Sequence, residues 1–233
     1  AIVIANACQH QDLFWALRGG GGNFGVVTSF EYQLHPVKDI VAGLFFFPLS
    51  RARDVLEFYR AYVETAPEEL GLFPAFQIAP PLPCIPEADH GKTFCILVCC
   101  WAGRPDGAIK AHLEYGPKVP AVSATMHIYP INGACNRVPA DATAFAYRDA
   151  KFATVIAGMW PDPRDNEKNI KWVKDYYHAV HPHSSAGGYV NFMAGDDQDR
   201  IRDNYKGNYD RLGAIKRKYD PTNLFHMNQN IKP

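Results

Sequence analysis

Two short segments carry the side chains best suited to chemistry. In residues 124–131, the alternation of an extended chain puts His127, Tyr129 and Ile131 on one face and Met126, Ile128 and Pro130 on the other. In residues 188–193, Tyr189 and Asn191 share a face opposite Val190 and Phe192. An imidazole, phenols and an amide on neighbouring strands either line a pocket for a polar substrate or a cofactor edge, or form an ordinary solvent-facing sheet surface. Alternation alone does not choose between the two. A tyrosine with its ordinary pKa of about 10 would need a nearby cation or donors to act as a base.

A third segment offers backbone rather than side chains. Gly20-x-Gly22-x-x-Gly25 matches the spacing that lets N–H groups approach a pyrophosphate. A dinucleotide site needs the order strand, turn, helix, and this pattern follows a helical stretch and precedes an extended one, so the Rossmann reading is set aside. What remains is a tight connection or a glycine cradle for a flavin or phosphate.

Other chemistries find little support. The nine histidines contain no HxxxH pair with a third ligand nearby, and His178 and His181 sit beside Pro182 rather than in a cluster. No GxSxG elbow occurs and no cysteine has an evident activating partner, which leaves hydrolase chemistry without a nucleophile. Lys216-Arg217-Lys218 reads as a solvated helix end, where cations complement the last carbonyls. Lys plus Arg and Asp plus Glu both number 24, so there is no basic field for nucleic acid or anionic membrane. The apolar runs near 41–49 and 94–102 are too short to span a bilayer and read as buried strands. The six cysteines lack a CxxC pair and are expected as buried reduced thiols; the lack of an Asn-x-Ser/Thr acceptor fits an intracellular protein.

The elements that must position these groups follow from the punctuation of the chain. Strands are expected at 2–5, 25–34, 41–47, 72–78, 93–101, 124–131, 152–160 and 188–193. Helices are expected at 12–18, at 50–65 capped by Ser50, at 106–115, at 165–181, and at 197–219 with a break near Gly207 and a stop at Asp220-Pro221. The central β-α-β-β-α-β order predicts an α+β fold, a largely antiparallel sheet with helices packed on one face.

Four blocks, DLFWALRGGGGNFGVVTSFEYQLHPV (12–37), YPINGACNRVPADATAFAYRDA (129–150), GGYVNF (187–192) and RLGAIKRKYDPTNLFHMNQNIKP (211–233), together resemble the berberine-bridge-enzyme-like FAD-linked oxidases. The resemblance implies three pieces: 1–37 as the last part of an FAD-binding domain, 38–196 as a substrate-binding domain whose sheet covers the flavin, and 197–233 as a segment returning to the flavin domain. It implies FAD contacts at Asn23, Gly25, Val27, Asn191, Asn228 and Asn230, and a substrate-facing strand carrying His127 and Tyr129. Most of the family's flavin domain is missing from these residues, including its covalent-attachment motifs, and so are a few dozen residues between Tyr115 and Ser123. Where many members place a tyrosine base after the Tyr-x-Asn motif, this chain has Phe192.

The implied reaction moves hydride from an alcohol or amine C–H of a small molecule to FAD, with dioxygen as the electron acceptor. With Phe192 at the usual base position, the proton is assigned first to Tyr129 and then to His127, with Tyr189 as an orienting donor. The partners implied are a small-molecule substrate, dioxygen and the N-terminal FAD-binding half. Two alternatives stand beside this one: a flavin-free remnant used for binding or structure, and an incomplete stretch of a longer oxidase.

Overall fold

A computed structural model describes residues 2–34, 44–66, 70–83, 85–98, 114, 117, 125–195, 198–227 and 229–233. The chain divides into two compact units. One comprises Ala42–Gly133 and Ala150–Ser185, and the other Ala1–Val41, Ala134–Asp149 and Ala186–Pro233.

The first unit is built on a five-stranded antiparallel sheet: β1 (Phe45–Pro48), β2 (Pro74–Ile78), β3 (Thr93–Leu97), β4 (Thr125–Pro130) and β5 (Phe152–Ala157), in the order β1-β3-β2-β4-β5. Its register lines up Phe47, Cys95, Phe76, Met126 and Ile156 across all five strands. These residues belong to one core with two helices. Helix α2 (Ala52–Tyr62) contributes Ala52, Val55, Leu56 and Tyr59, the i, i+3, i+4, i+7 spacing of a buried helical stripe. Helix α4 (Asn166–Val180) contributes Trp172, Tyr176 and Val180 at i+4 steps. Mixed helix and antiparallel sheet, with helices on the sheet's Phe76 face, is the expected class.

Several boundaries differ from the sequence reading. Ser50 lies inside a 3-10 turn, Leu49–Arg51, and caps nothing, because the helix proper starts one turn later. β5 ends at Ala157, before Trp160, whose indole N–H turns away to Asn166 Oδ1 at 2.6 Å. The expected helix at 106–115, apart from the helical Glu114, and the outer ends of the strands expected at 41–47 and 93–101 lie outside the described residues.

The second unit is helix-rich: α1 (Gln11–Leu17), α3 (Ala134–Arg137), α5 (Ile201–Tyr205) and α6 (Tyr209–Tyr219). Leu13, Trp15 and Ala16 of α1 pack with Phe24, Ala144, Tyr205, Leu212, Ile215 and Ile231. Asp12 joins α1 to the end of α6, accepting from Lys218 Nζ at 2.6 Å and Tyr219 Oη at 2.8 Å. The helix break expected near Gly207 is a 3-10 turn, Lys206–Asn208. Residues 134–149 and 186–195, expected with the substrate domain, pack in this unit.

Three expected strands are absent from it. Residues 2–5 and 25–34 run without strand pairing, and their apolar side chains are exposed, among them Ile2 at 91% and Leu34 at 82%. Alternating β-branched and aromatic residues become a strand only where a neighbouring strand takes their N–H and C=O groups in a ladder, and no described strand pairs with these segments. Residues 190–192 form a 3-10 turn instead of a strand, because the Gly188 N–H is drawn to the Asn204 side chain at 3.0 Å and the Phe192 N–H closes back on the Tyr189 carbonyl at 2.9 Å.

Candidate functional site

In the helix-rich unit, three loops converge on the glycine pattern. Gly21 has φ +66°, and a Cβ there would lie 3.8 Å from Val190 Cγ2. A Cβ on Gly22 would meet Met227 Cγ at 2.4 Å, so glycine permits this close approach of the C-terminal segment. The turn Gly21–Asn23 is then clamped by Asn23, which is only 1% exposed. Its Nδ2 donates to the Gly20 and Gln229 carbonyls, each at 2.9 Å, and its Oδ1 accepts from the Ile231 N–H at 3.0 Å. The amide thus pairs with residues 229 and 231 as a peptide unit pairs across a β-ladder, and Asn230 emerges between them.

Asn230 Oδ1 is buried and has no hydrogen-bond partner among the described residues, nor has the buried Tyr205 Oη, which lies 3.9 Å from the Cβ position of Gly21. Burial pushes the Tyr205 phenol well up. An orphaned buried acceptor is costly, by roughly 1–3 kcal/mol, unless something completes it. Beside these groups, Asn191 Nδ2 donates to Tyr189 Oη at 2.7 Å. The Tyr189 ring meets Phe145 and Phe192 edge-on, at 5.9 and 5.1 Å between centroids. The loss of strand geometry has therefore not separated Tyr189 from Asn191, which the 3-10 turn brings into direct contact, both exposed.

In the sheet unit, His127 and Tyr129 lie on the β4 face opposite the buried Met126 and Ile128. His127 Nδ1 and Tyr129 Oη are 2.9 Å apart. Phe73 packs on both rings, with centroid distances of 5.1 and 4.9 Å. Burial lowers the His127 imidazole below its ordinary 6.5, which keeps it neutral near pH 7. A neutral imidazole with one free nitrogen and a hydroxyl at hydrogen-bond distance can pass a proton between them.

The named residues thus fare differently. Tyr189 and Asn191 meet, as do His127 and Tyr129; a Cβ on Gly25 (φ +142°) would meet nothing within 4 Å, and Val27 is 43% exposed. Asn23 has both side-chain donors engaged within the protein, which makes it a support for the loop rather than a free ligand. Asn228 lies outside the described residues. A buried polar set stands beside these residues that their types and spacing did not announce. Lys216, read as a solvated helix end, is 0% exposed and paired with Asp220. Asn204 Nδ2 donates to Gln229 Oε1 at 2.8 Å, and Gln229 Nε2 to the Ala194 carbonyl at 3.2 Å. A signal existed: Lys216 stands four residues after Leu212 and four before Asp220, on the apolar stripe of α6.

Among the described residues, no three His, Cys, Asp or Glu come close enough to hold a metal. No helix there is long and apolar enough to cross a membrane. Of the cysteines described as free thiols, Cys95 is buried and its thiol pushed up to about 12 by burial, Cys135 is half-buried and Cys8 is exposed, so the expectation of buried thiols fails at Cys8.

One unit carries a glycine turn, an amide–phenol pair and an orphaned amide oxygen, and the other an antiparallel sheet, in a mixed helix and antiparallel-sheet fold. Residues 188–232 match the family described as Berberine and berberine like. An FAD-linked oxidoreductase of Dictyostelium discoideum is 26% identical over 97% of this chain and 59% of its own length. Berberine-bridge-enzyme-like protein 1 of Physcomitrella patens superposes with a TM-score of 0.74 at 17% identity, over 99% of this chain and 62% of that one. A glycopeptide hexose oxidase solved with teicoplanin gives 0.69 at 22% identity, over 100% and 66%. The chain is thus similar to berberine-bridge-enzyme-like FAD-linked oxidoreductases along its whole length, and it spans about 60% of the length of the curated relatives it matches.

Proposed function

We propose that the chain serves, within its intact protein, an FAD-dependent oxidase acting on an alcohol or amine C–H of a small molecule, with dioxygen as final acceptor. The observation that carries this reading is the buried Asn230 Oδ1, without a hydrogen-bond partner among the described residues and held beside a side-chain-free glycine turn by the Asn23 clamp. A planar cofactor whose edge alternates donors and acceptors suits that acceptor, together with the exposed Asn191 amide and Tyr189 hydroxyl. When bound, FAD supplies the hydride acceptor and the route to dioxygen.

The chain's own part in the chemistry is proton transfer and orientation. Tyr129 Oη takes the proton of the substrate hydroxyl or amine while its own proton passes to the neutral His127 Nδ1, so that the charge ends on an imidazole and not on a phenolate. Phe73 packs on both rings and restricts their rotation. Tyr189 donates a hydrogen bond that orients the bound groups. Anaerobic reduction of the intact, flavin-loaded protein by a panel of simple alcohols, sugars and amines tests this. Tyr129→Phe should slow reduction by roughly two to four orders of magnitude with folding intact. A wild-type rate and pH profile in that variant would move the proton acceptor elsewhere.

A further inference from the structure

The helix-rich unit buries one ammonium group completely. Lys216 Nζ, on α6, donates to the Asn23 carbonyl at 2.7 Å, to the Phe225 carbonyl at 2.5 Å, and to Asp220 Oδ2, which uses all three of its N–H bonds. Asp220 is completed by the Leu224 and Phe225 N–H groups, each at 2.9 Å. Burial pushes the Asp220 carboxyl up, but Lys216 and these two amides more than offset it and hold the group at about 2. A buried ion pair is a weak source of stability compared with apolar residues of the same volume, so its meaning lies in what its geometry holds together. What it holds is the end of the glycine turn, at Asn23, and the start of the 225–231 segment, at Phe225. Asn23 then fixes residues 229 and 231 on either side of Asn230.

We propose that Lys216 is a positioning residue for the flavin site: one buried ammonium sets the glycine turn and the 225–231 segment against each other, and so aims the Asn230 side-chain oxygen. This rests on the flavin reading above. Lys216 touches no reacting atom itself. Its loss should change the surroundings of the flavin in protein that remains folded.

The test uses the intact, FAD-loaded protein with Lys216→Met, and with the double variant Lys216→Met/Asp220→Asn, which leaves no lone buried charge. Circular dichroism reports folding; the visible absorption spectrum and the flavin midpoint potential report the site. The expected result is a shifted spectrum and potential in folded variants, with FAD retention weakened roughly tenfold where attachment is non-covalent. Folded variants with the wild-type spectrum and potential would overturn the positioning role while leaving the flavin reading intact. If the double variant also fails to fold, Lys216 is a stability element only and the proposal is rejected. A wild-type protein that takes up no flavin removes both the reading and the inference.

Discussion

Two asparagines of the same type carry different work, and burial is what separates them. Asn23 spends its amide on three backbone groups, whereas Asn191 is exposed with only Tyr189 attached. Replacing Asn191 by Leu should therefore leave folding unchanged but cost about 1–3 kcal/mol of flavin binding, read from FAD dissociation where attachment is non-covalent. Unaltered flavin content and spectrum would remove Asn191 from the site. His127 makes a prediction about pH. Its folded value lies below the ordinary 6.5, so the unfolded chain binds its proton more readily. The contribution is present above 6.5, and the sheet unit loses stability as the pH falls from 6.5 toward the folded value. His127→Gln should flatten that slope in denaturant titrations at several pH values, and an unchanged slope would contradict it. The pairs Tyr189–Asn191 and His127–Tyr129 were legible in the sequence because each is local, two residues apart. Lys216 was only half legible: its i+4 spacing from Leu212 and to Asp220 points inward, but a cluster of three basic residues at a helix end looks solvated until the tertiary fold brings the Asn23 carbonyl to it.

At the scale of elements, periodicity found what packing enforces. Helices α2 and α4 carry their buried stripes at helical spacing, and β4 alternates as read. The failures are where hydrogen bonds, not side chains, decide. The alternation at 25–34 is that of a strand, yet no described neighbour pairs with it. The segment at 188–193 is captured by a side chain, Asn204, that periodicity cannot see. The sheet core makes a direct prediction: Phe76 is fully buried at the centre of the five-strand row, and Phe76→Ala should cost roughly 3–5 kcal/mol in chemical denaturation. A loss under about 1 kcal/mol would mean that the row is not the core. In the helix-rich unit, Gly19 has φ +129° and a Cβ there would sit 2.3 Å from the Phe145 amide nitrogen. Gly19→Ala should lower the thermal midpoint of folding more than Gly207→Ala, where a Cβ meets nothing within 4 Å. Equal midpoints would contradict the close approach.

At the scale of the whole molecule, the helix-rich unit exposes Ile2, Val3, Ile4, Val26, Val27, Phe30, Tyr32 and Leu34. Extended apolar segments without a pairing neighbour promote association. These 233 residues expressed alone should self-associate on sedimentation velocity, and a monodisperse monomer with exchange-protected amides at 26–30 would count against that. The same exposure fits a chain that spans about 60% of its curated relatives' length. The similarity to berberine-bridge-enzyme-like proteins was legible from motifs spread along the chain, whereas the placement of 134–149 and 186–195 with the flanking segments was not, since it depends on contacts distant in sequence. Flavin binding by the intact protein is tested most directly by one measurement, its visible absorption spectrum after purification, recorded with its intact mass. A two-band flavin spectrum with FAD bound is the predicted result. A colourless protein of full length that acquires no FAD on incubation would contradict it and leave a flavin-free homologue.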